Sequence, residues 1–312
     1  MSTRFPFTLI QLSYFIECAR LLNMTEASQR LHVAQSAVSA AISHLETQIN
    51  TELFIRQHSR GLLLTPAGMQ LLEDAQQIFD QLSSTVEQIG DRQSHIRGIA
   101  RIACFGTLGP FLLPPLLSRL EQRYPDLRVE ILEGDFLANM QDLRTGRADL
   151  AVTYDVQEVD SVTTEPLRSD PPYALVGPRH RFSKRNTVRL SDFADDRLVL
   201  LNLPHSREYF LNVLLNAGLT PDIAYRTENF ETARSLVARG LGYTILNQRP
   251  ATDLSYSGTR TVALALLDPL PELRIVLATR SKSPQSARSL AISREVKSLL
   301  GRRGELVAPP RT

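Results

Sequence analysis

Apolar residues recur at helical spacing through the N-terminal part of the chain. Leu9, Leu12, Phe15, Ile16 and Ala19 form one stripe, and Thr8 with Gln11 is the capping box that predicts its start. Thr25 is expected to cap a short helix running through Leu31, and 32–34 to make a tight connection. A third helix is predicted over 35–49, with Ala37, Val38, Ala41, Ile42 and Leu45 as its buried face. Two short β-prone pieces follow, around 53–55 and 62–64, with a turn at 57–61: a small hairpin, or wing. Thr65 and Pro66 supply an N-cap and a first helical residue. The helix they open carries Leu71, Leu72, Ala75, Ile78, Phe79, Leu82, Val86 and Ile89 at nearly heptad spacing, a stripe that calls for a partner helix.

After Gly90 the period changes. Short apolar runs at 99–105, 127–132 and 149–154 alternate with helical stretches at 112–123 and 139–144. This β-α-β-α-β order predicts a parallel sheet with covering helices. It repeats more loosely, with strands at 173–176, 198–201, 223–227, 243–246 and 273–278, and helices at 206–216, 231–239 and 287–300. The tail from 301 to 312 reads as flexible.

At 312 residues the chain is too long for one comfortable core. Its 43% hydrophobic and 22% charged content is ordinary for a globular protein. A net charge of +2 does not by itself announce a nucleic-acid partner. Cys18 and Cys104 are far apart and fit neither a disulfide framework nor a C-x-x-C site, as expected in a reducing cytoplasm. The six histidines, at 32, 44, 58, 95, 180 and 205, show no metal-ligand spacing, and no cofactor is expected. The N-terminus lacks a signal peptide's apolar core, and no apolar run is long enough to span a membrane.

The helix over 35–49, its predecessor and the wing together make a winged helix-turn-helix, with Ala27 where the two helices approach closely. The pieces QLSYF, MTEASQRLHVAQSAVS, ISHLE, ELFIR and LLLTPAG fall in order along residues 11–68. Here the chain resembles the LysR-type transcriptional regulators, and the likeness runs on through the long helix and the α/β remainder. The resemblance implies a DNA-binding domain at 1–65, a linker and dimerisation helix at 66–90, and a two-lobed effector domain at 91–300. That last domain is expected to look like a periplasmic binding protein, with lobe one at about 97–160 plus 268–300 and lobe two at about 161–267.

The presumptive recognition helix poses a problem, because Val33 to Leu45 contains neither Lys nor Arg. Ser36 and Ala40 stand where family members carry Pro and a larger polar residue, and Ala34 stands where a capping Ser or Thr is usual. Gln35, Ser36, Ser39, Ser43 and His44 remain as base readers, with Ala40 suited to a thymine methyl. Phosphate contacts fall to Thr25, Arg30, Arg56 and Arg60. Over residues 1–65, five arginines face four glutamates, an excess of one. Affinity follows the number of neutralised phosphates, so one domain should bind weakly. Promoter binding then requires a dimer, and the family resemblance extends this to a tetramer.

Ligands of open α/β sheets sit at strand C-terminal ends. This selects Phe105, Thr107 and Leu108 after the first strand, Phe136 after the second, and Thr153 with Tyr154 at the third. His205, Ser206 and Arg207 open one helix and Phe230 another. Helix N-termini favour anions, so a carboxylate-bearing small molecule is the expected effector. For Ser206 simple helix capping, and for Phe230 core packing, are equally available. Three other readings stay open: a solute-binding protein, disfavoured by the winged helix; an enzyme, for which no P-loop, G-x-S-x-G, H-E-x-x-H or dinucleotide fingerprint exists; and a DNA-binding regulator whose α/β part only oligomerises.

Overall fold

The computed structural model describes residues 6–57, 61–89, 96–204, 206–271, 273–281 and 285–301. Arg60, His205 and the 302–312 tail, all singled out above, lie outside these residues.

The N-terminal domain opens with α1 (Leu9–Leu21), α2 (Met24–Arg30) and α3 (Gln35–Ile49). The Thr8–Gln11 capping box forms as expected. The second cap does not: Asn23, not Thr25, accepts from the backbone N–H groups of Thr25 and Glu26. An Asx side chain two residues earlier outcompetes the threonine because its longer carbonyl reaches both orphan donors. Ala27 is fully buried at the α2–α3 approach, and Val38, Ile42 and Leu45 are sealed beneath it. Ala37, expected in that stripe, is exposed. The wing is β1 (Phe54–Gln57) paired antiparallel with β2 (Gly61–Leu64). Glu46 of α3 anchors it, its Oε1 accepting from Leu53 N at 2.9 Å and Phe54 N at 3.3 Å. Then α4 (Pro66–Ile89) leaves the domain, with Thr65 Oγ1 accepting from Gly68 N at 2.9 Å.

The first lobe contains β3 (Gly98–Phe105), α5 (Gly109–Arg123), β4 (Leu127–Gly134), α6 (Phe136–Arg144), β5 (Leu150–Tyr154) and β6 (Val162–Asp170). The second follows with β7 (Tyr173–Val176), β8 (Thr187–Val188), β9 (Arg197–Leu201), α7 (Ser206–Asn216), β10 (Asp222–Thr227), α8 (Phe230–Ala238), β11 (Thr244–Leu246) and β12 (Val262–Leu266). The chain then returns to the first lobe for β13 (Leu273–Arg280) and α9 (Ala287–Leu300).

The five-stranded first sheet runs β4-β3-β5-β13-β6. It is mixed rather than purely parallel: β3 pairs parallel with β4 and β5, while β13 is antiparallel to both β5 and β6. The strand β6, expected with the second lobe, is therefore an edge strand of the first. Its sequence, VTTEPLRSD, hides it: one edge faces away from the sheet, where Pro166 and polar side chains are tolerated. The second lobe holds a four-stranded sheet, β11-β7-β12-β8, and the parallel pair β9 and β10. The two are stitched by Tyr243, which exchanges backbone hydrogen bonds with Arg197 and Val199 at 2.9 and 2.8 Å. Among the described residues, no helix is long and apolar enough to cross a membrane.

Candidate DNA interface and inter-lobe cleft

The outward face of α3 exposes Gln35, Ser36, Ala40, Ser43 and His44, with Ser39 half-buried. Ala34 makes no side-chain cap, so the first N–H groups of this helix are left for another acceptor. His44 is already engaged: its Nδ1 lies 3.1 Å from Gln11 Nε2. Gln11 was missed as a member of this face; its place opposite α3 follows from packing, not from sequence spacing. Thr25 and Arg56 are exposed. Arg30 is half-exposed, but Glu17 holds it, Nε to Oε1, at 3.2 Å. A chain with so few cations at this surface thus spends one of them on an internal ion pair.

The expected effector residues divide. Thr107, Tyr154, Ser206 and Phe230 line one cleft between the lobes, together with Leu201, Leu203, Phe210, Leu246, Asn247, Gln248 and Leu273. Thr107 Oγ1 and the Tyr154 hydroxyl lie 3.4 Å apart. Burial pushes the Tyr154 phenol well above its ordinary pKa, with the Thr107 hydrogen bond opposing weakly, so it remains a neutral donor. Phe105 packs edge-on against Tyr154 with ring centroids 5.0 Å apart, behind the cleft wall. Leu108 turns into a separate small apolar cavity with Phe111 and Arg168. Phe136 does not reach the cleft: it is buried in the first-lobe core. It opens α6 at the correct strand end, but helix direction turns its ring under the sheet. Thr153 is wholly buried, and its Oγ1 has no protein partner. Arg207 is exposed and pairs with its neighbour Glu208.

Asn247 and Gln248, on the segment after β11, are the polar cleft residues that sequence reasoning missed. They bind the crossing between the lobes. Gln248 Nε2 donates to Asp170 Oδ2 at 2.6 Å, and Asn247 Nδ2 to the Asp170 carbonyl at 2.8 Å. Arg168 closes on the same carboxylate, Nε to Oδ1 at 2.8 Å and a second nitrogen to Oδ2 at 2.8 Å. Asn247 Oδ1 is buried without a partner. With the lobes held this way, the cleft retains about 20 Å³ of free volume, room for about one water molecule.

Residues 9–69 match the family described as bacterial regulatory helix-turn-helix protein, lysR family, and residues 93–300 match the LysR substrate binding domain. The chain is 28% identical to the DNA-binding transcriptional dual regulator OxyR of Escherichia coli over 89% of its own length and 90% of that protein's. It is similar to the solved structure of HinK, a LysR family transcriptional regulator from Pseudomonas aeruginosa, at 31% identity and a TM-score of 0.64, covering 95% of this chain and 99% of that one. A full-length OxyR variant from Pseudomonas aeruginosa shares the fold with a TM-score of 0.78 at 23% identity, covering 96% of this chain and all of that one.

Proposed function

The chain belongs to the LysR-type family of DNA-binding transcriptional regulators, and from that premise we propose how it reads DNA and what controls it. It is not an enzyme; the family acts by binding. Gln35, Ser36, Ser39, Ala40 and Ser43 read bases in a major groove, with His44 restrained beside them by Gln11. Thr25, Arg30, Arg56 and Arg60 meet phosphates. The observation that carries this is the exposed, nearly uncharged face of α3 beside a wing that Glu46 fixes in place. Since that face offers few electrostatic contacts, binding needs two or more domains acting together on successive half-sites about 34 Å apart. The helix over 66–90 joins two chains, because Ile78, Leu82 and Val86 are 45%, 40% and 69% exposed along one face. Contacts between the α/β domains then build a tetramer on promoter DNA.

The effector is a small carboxylate-bearing molecule that enters as the lobes part. Thr107, Ser206 and Tyr154 line the cleft between them, the Thr107 and Tyr154 hydroxyls 3.4 Å apart, and Asn247 Oδ1 lacks a partner that a ligand donor would supply. Phe230 lines the same cleft, and Phe105 backs Tyr154 from behind. Such a ligand acts by preferring one lobe arrangement. The filled cleft favours a second reading, in which the α/β domain has lost its ligand and only oligomerises. Thermal unfolding of the purified protein against amino acids, organic acids, purines and aromatic acids decides between them, since a ligand of the folded state must raise the midpoint. A shift lost in Thr107→Ala and Ser206→Ala supports the cleft. No shift across the panel, with promoter binding intact, supports the second reading.

Neither cysteine is placed to act as a thiol sensor. Cys18 and Cys104 are both fully buried, and burial pushes each thiol up to about 12, so the reactive thiolate is suppressed.

A further inference from the structure

The winged helix is fastened to the first lobe by a few polar contacts. Arg20, in the last turn of α1, donates to the Gly146 carbonyl at 2.7 Å and to Gln76 Oε1 of α4 at 2.9 Å. Its side chain is 17% exposed. One helical turn before Gln76, Glu73 accepts from Arg144 Nε and a terminal nitrogen at 3.2 and 3.0 Å. Gly146 has φ +65, and a Cβ there would lie 2.3 Å from the Gln76 side chain. Glycine is needed both for the turn and for the close approach. From the other side, Arg280 of β13 donates to the Leu143 and Ala148 carbonyls at 3.0 and 3.2 Å. The turn at 143–148 is thus held by the sheet on one side and by the DNA-binding domain on the other.

Two connections lead away from this turn. Through the five residues of β5, Leu150–Tyr154, it runs straight to Tyr154 and the cleft. Through Arg20 it reaches Glu17, whose carboxylate is 3.6 Å from Arg20 and 3.2 Å from Arg30. Arg20 and Arg30 therefore share one carboxylate, Arg20 at the longer distance on Oε2 and Arg30 at the shorter on Oε1. Burial works against the Arg20 charge while Glu17 supports it, and Arg101 and Arg280 oppose it further. A space of about 290 Å³ alongside, lined by Glu17, Arg20, Arg30, Arg101 and Arg147, lets water into the seam.

We propose that this seam is an autoinhibitory latch: closed, it draws Arg20 to Gly146 and keeps it at the 3.6 Å limit of its pairing with Glu17, whose other oxygen holds Arg30; opened, Arg20 closes fully on Glu17 and Arg30 is released to a DNA phosphate. The idea rests on the DNA-binding reading above and adds the step by which lobe movement reaches the DNA. It is independent of which small molecule moves the lobes.

The test uses full-length Glu73→Arg, Arg144→Glu and the double swap, with Glu17→Gln as a fourth variant. Hydrogen exchange of segments 73–79 and 143–148 reads the latch without DNA. Fluorescence anisotropy on a mixed-sequence duplex over a salt series reads phosphate contacts. Each single variant is expected to raise exchange in both segments and to tighten duplex binding about threefold to tenfold, with a salt slope steeper by about one phosphate. Charge alone would move the two single variants in opposite directions, because one adds positive charge and the other removes it. The swap restores both readouts, and Glu17→Gln tightens binding while exchange stays low. Unchanged exchange in folded single variants overturns the latch. Raised exchange with unaltered or oppositely shifted duplex affinity overturns its control of DNA. A wild-type protein that binds no duplex at low salt sinks the DNA-binding reading and the inhibition with it, while exchange still reports the contact.

Discussion

Gln248 reaches across from the second lobe to donate to Asp170 at 2.6 Å, at the end of the strand that carries the chain between lobes. Arg168 neutralises the same buried carboxylate. Removing one partner leaves the other charge buried and uncompensated. Asp170→Asn should therefore lower stability by about 3 to 5 kcal/mol, read as a shift in the urea midpoint. Gln248→Ala removes only a neutral donor and should cost about 1 to 3 kcal/mol. Equal effects from the two would mean that the ion pair adds nothing to the hydrogen bond.

Gln35 and Arg56 should fail differently. Gln35→Ala is expected to lower affinity for the cognate promoter by about 1 to 3 kcal/mol and leave binding to unrelated duplex unchanged. Arg56→Ala should weaken both equally and reduce the salt slope by about one. Titrations on promoter and scrambled duplexes at several salt concentrations separate the two, and identical profiles would remove Gln35 from the base readers.

The exposed stripe on α4 makes oligomeric state sensitive to one charge. Leu82 is 40% exposed in the single chain, and a carboxylate placed there would be stranded in a helix–helix seam. Leu82→Glu should halve the mass measured by light scattering and abolish promoter binding at concentrations where wild type saturates. A mass equal to wild type counts against this helix as the dimer contact.

The thiols give an alkaline signature. Their folded pKa values lie near 12 against 9.0 for an ordinary thiol. A group raised on folding contributes stability that is intact below the lower value and lost as pH climbs to the higher one. Stability should thus fall between about pH 9 and 12, and the fall should shrink in Cys104→Ala relative to wild type. At pH 8 a thiol reagent should label denatured protein rapidly and native protein only as fast as it opens. Prompt labelling of the native state would contradict the burial.

Much of this architecture was legible because local signals carried it. The capping box at Thr8 and the Thr65-Pro66 start rest on contacts within a few residues. What failed was set by distant partners. Asn23 displaced Thr25 by side-chain reach, and β6 became visible as a strand only when β13 lay beside it. Phe136 occupies the expected strand end, yet its ring faces the core, since sequence position does not fix side-chain direction. Asn247 and Gln248 sit at no motif; their importance comes from meeting Asp170 across 77 and 78 positions of chain.

The tightly filled cleft also sets a tempo. With about 20 Å³ between the lobes, an incoming molecule cannot collide its way into place. It must wait for the Asp170 fastening to loosen. Association would then level off at high ligand concentration, at the rate of lobe opening. The observed dissociation constant would be weakened in proportion to how rarely the open form is visited. Under the effector reading, a regulator built this way would respond to sustained changes in its ligand and pass over brief ones, and loosening Asp170 would make it quicker and more sensitive at the expense of that filtering.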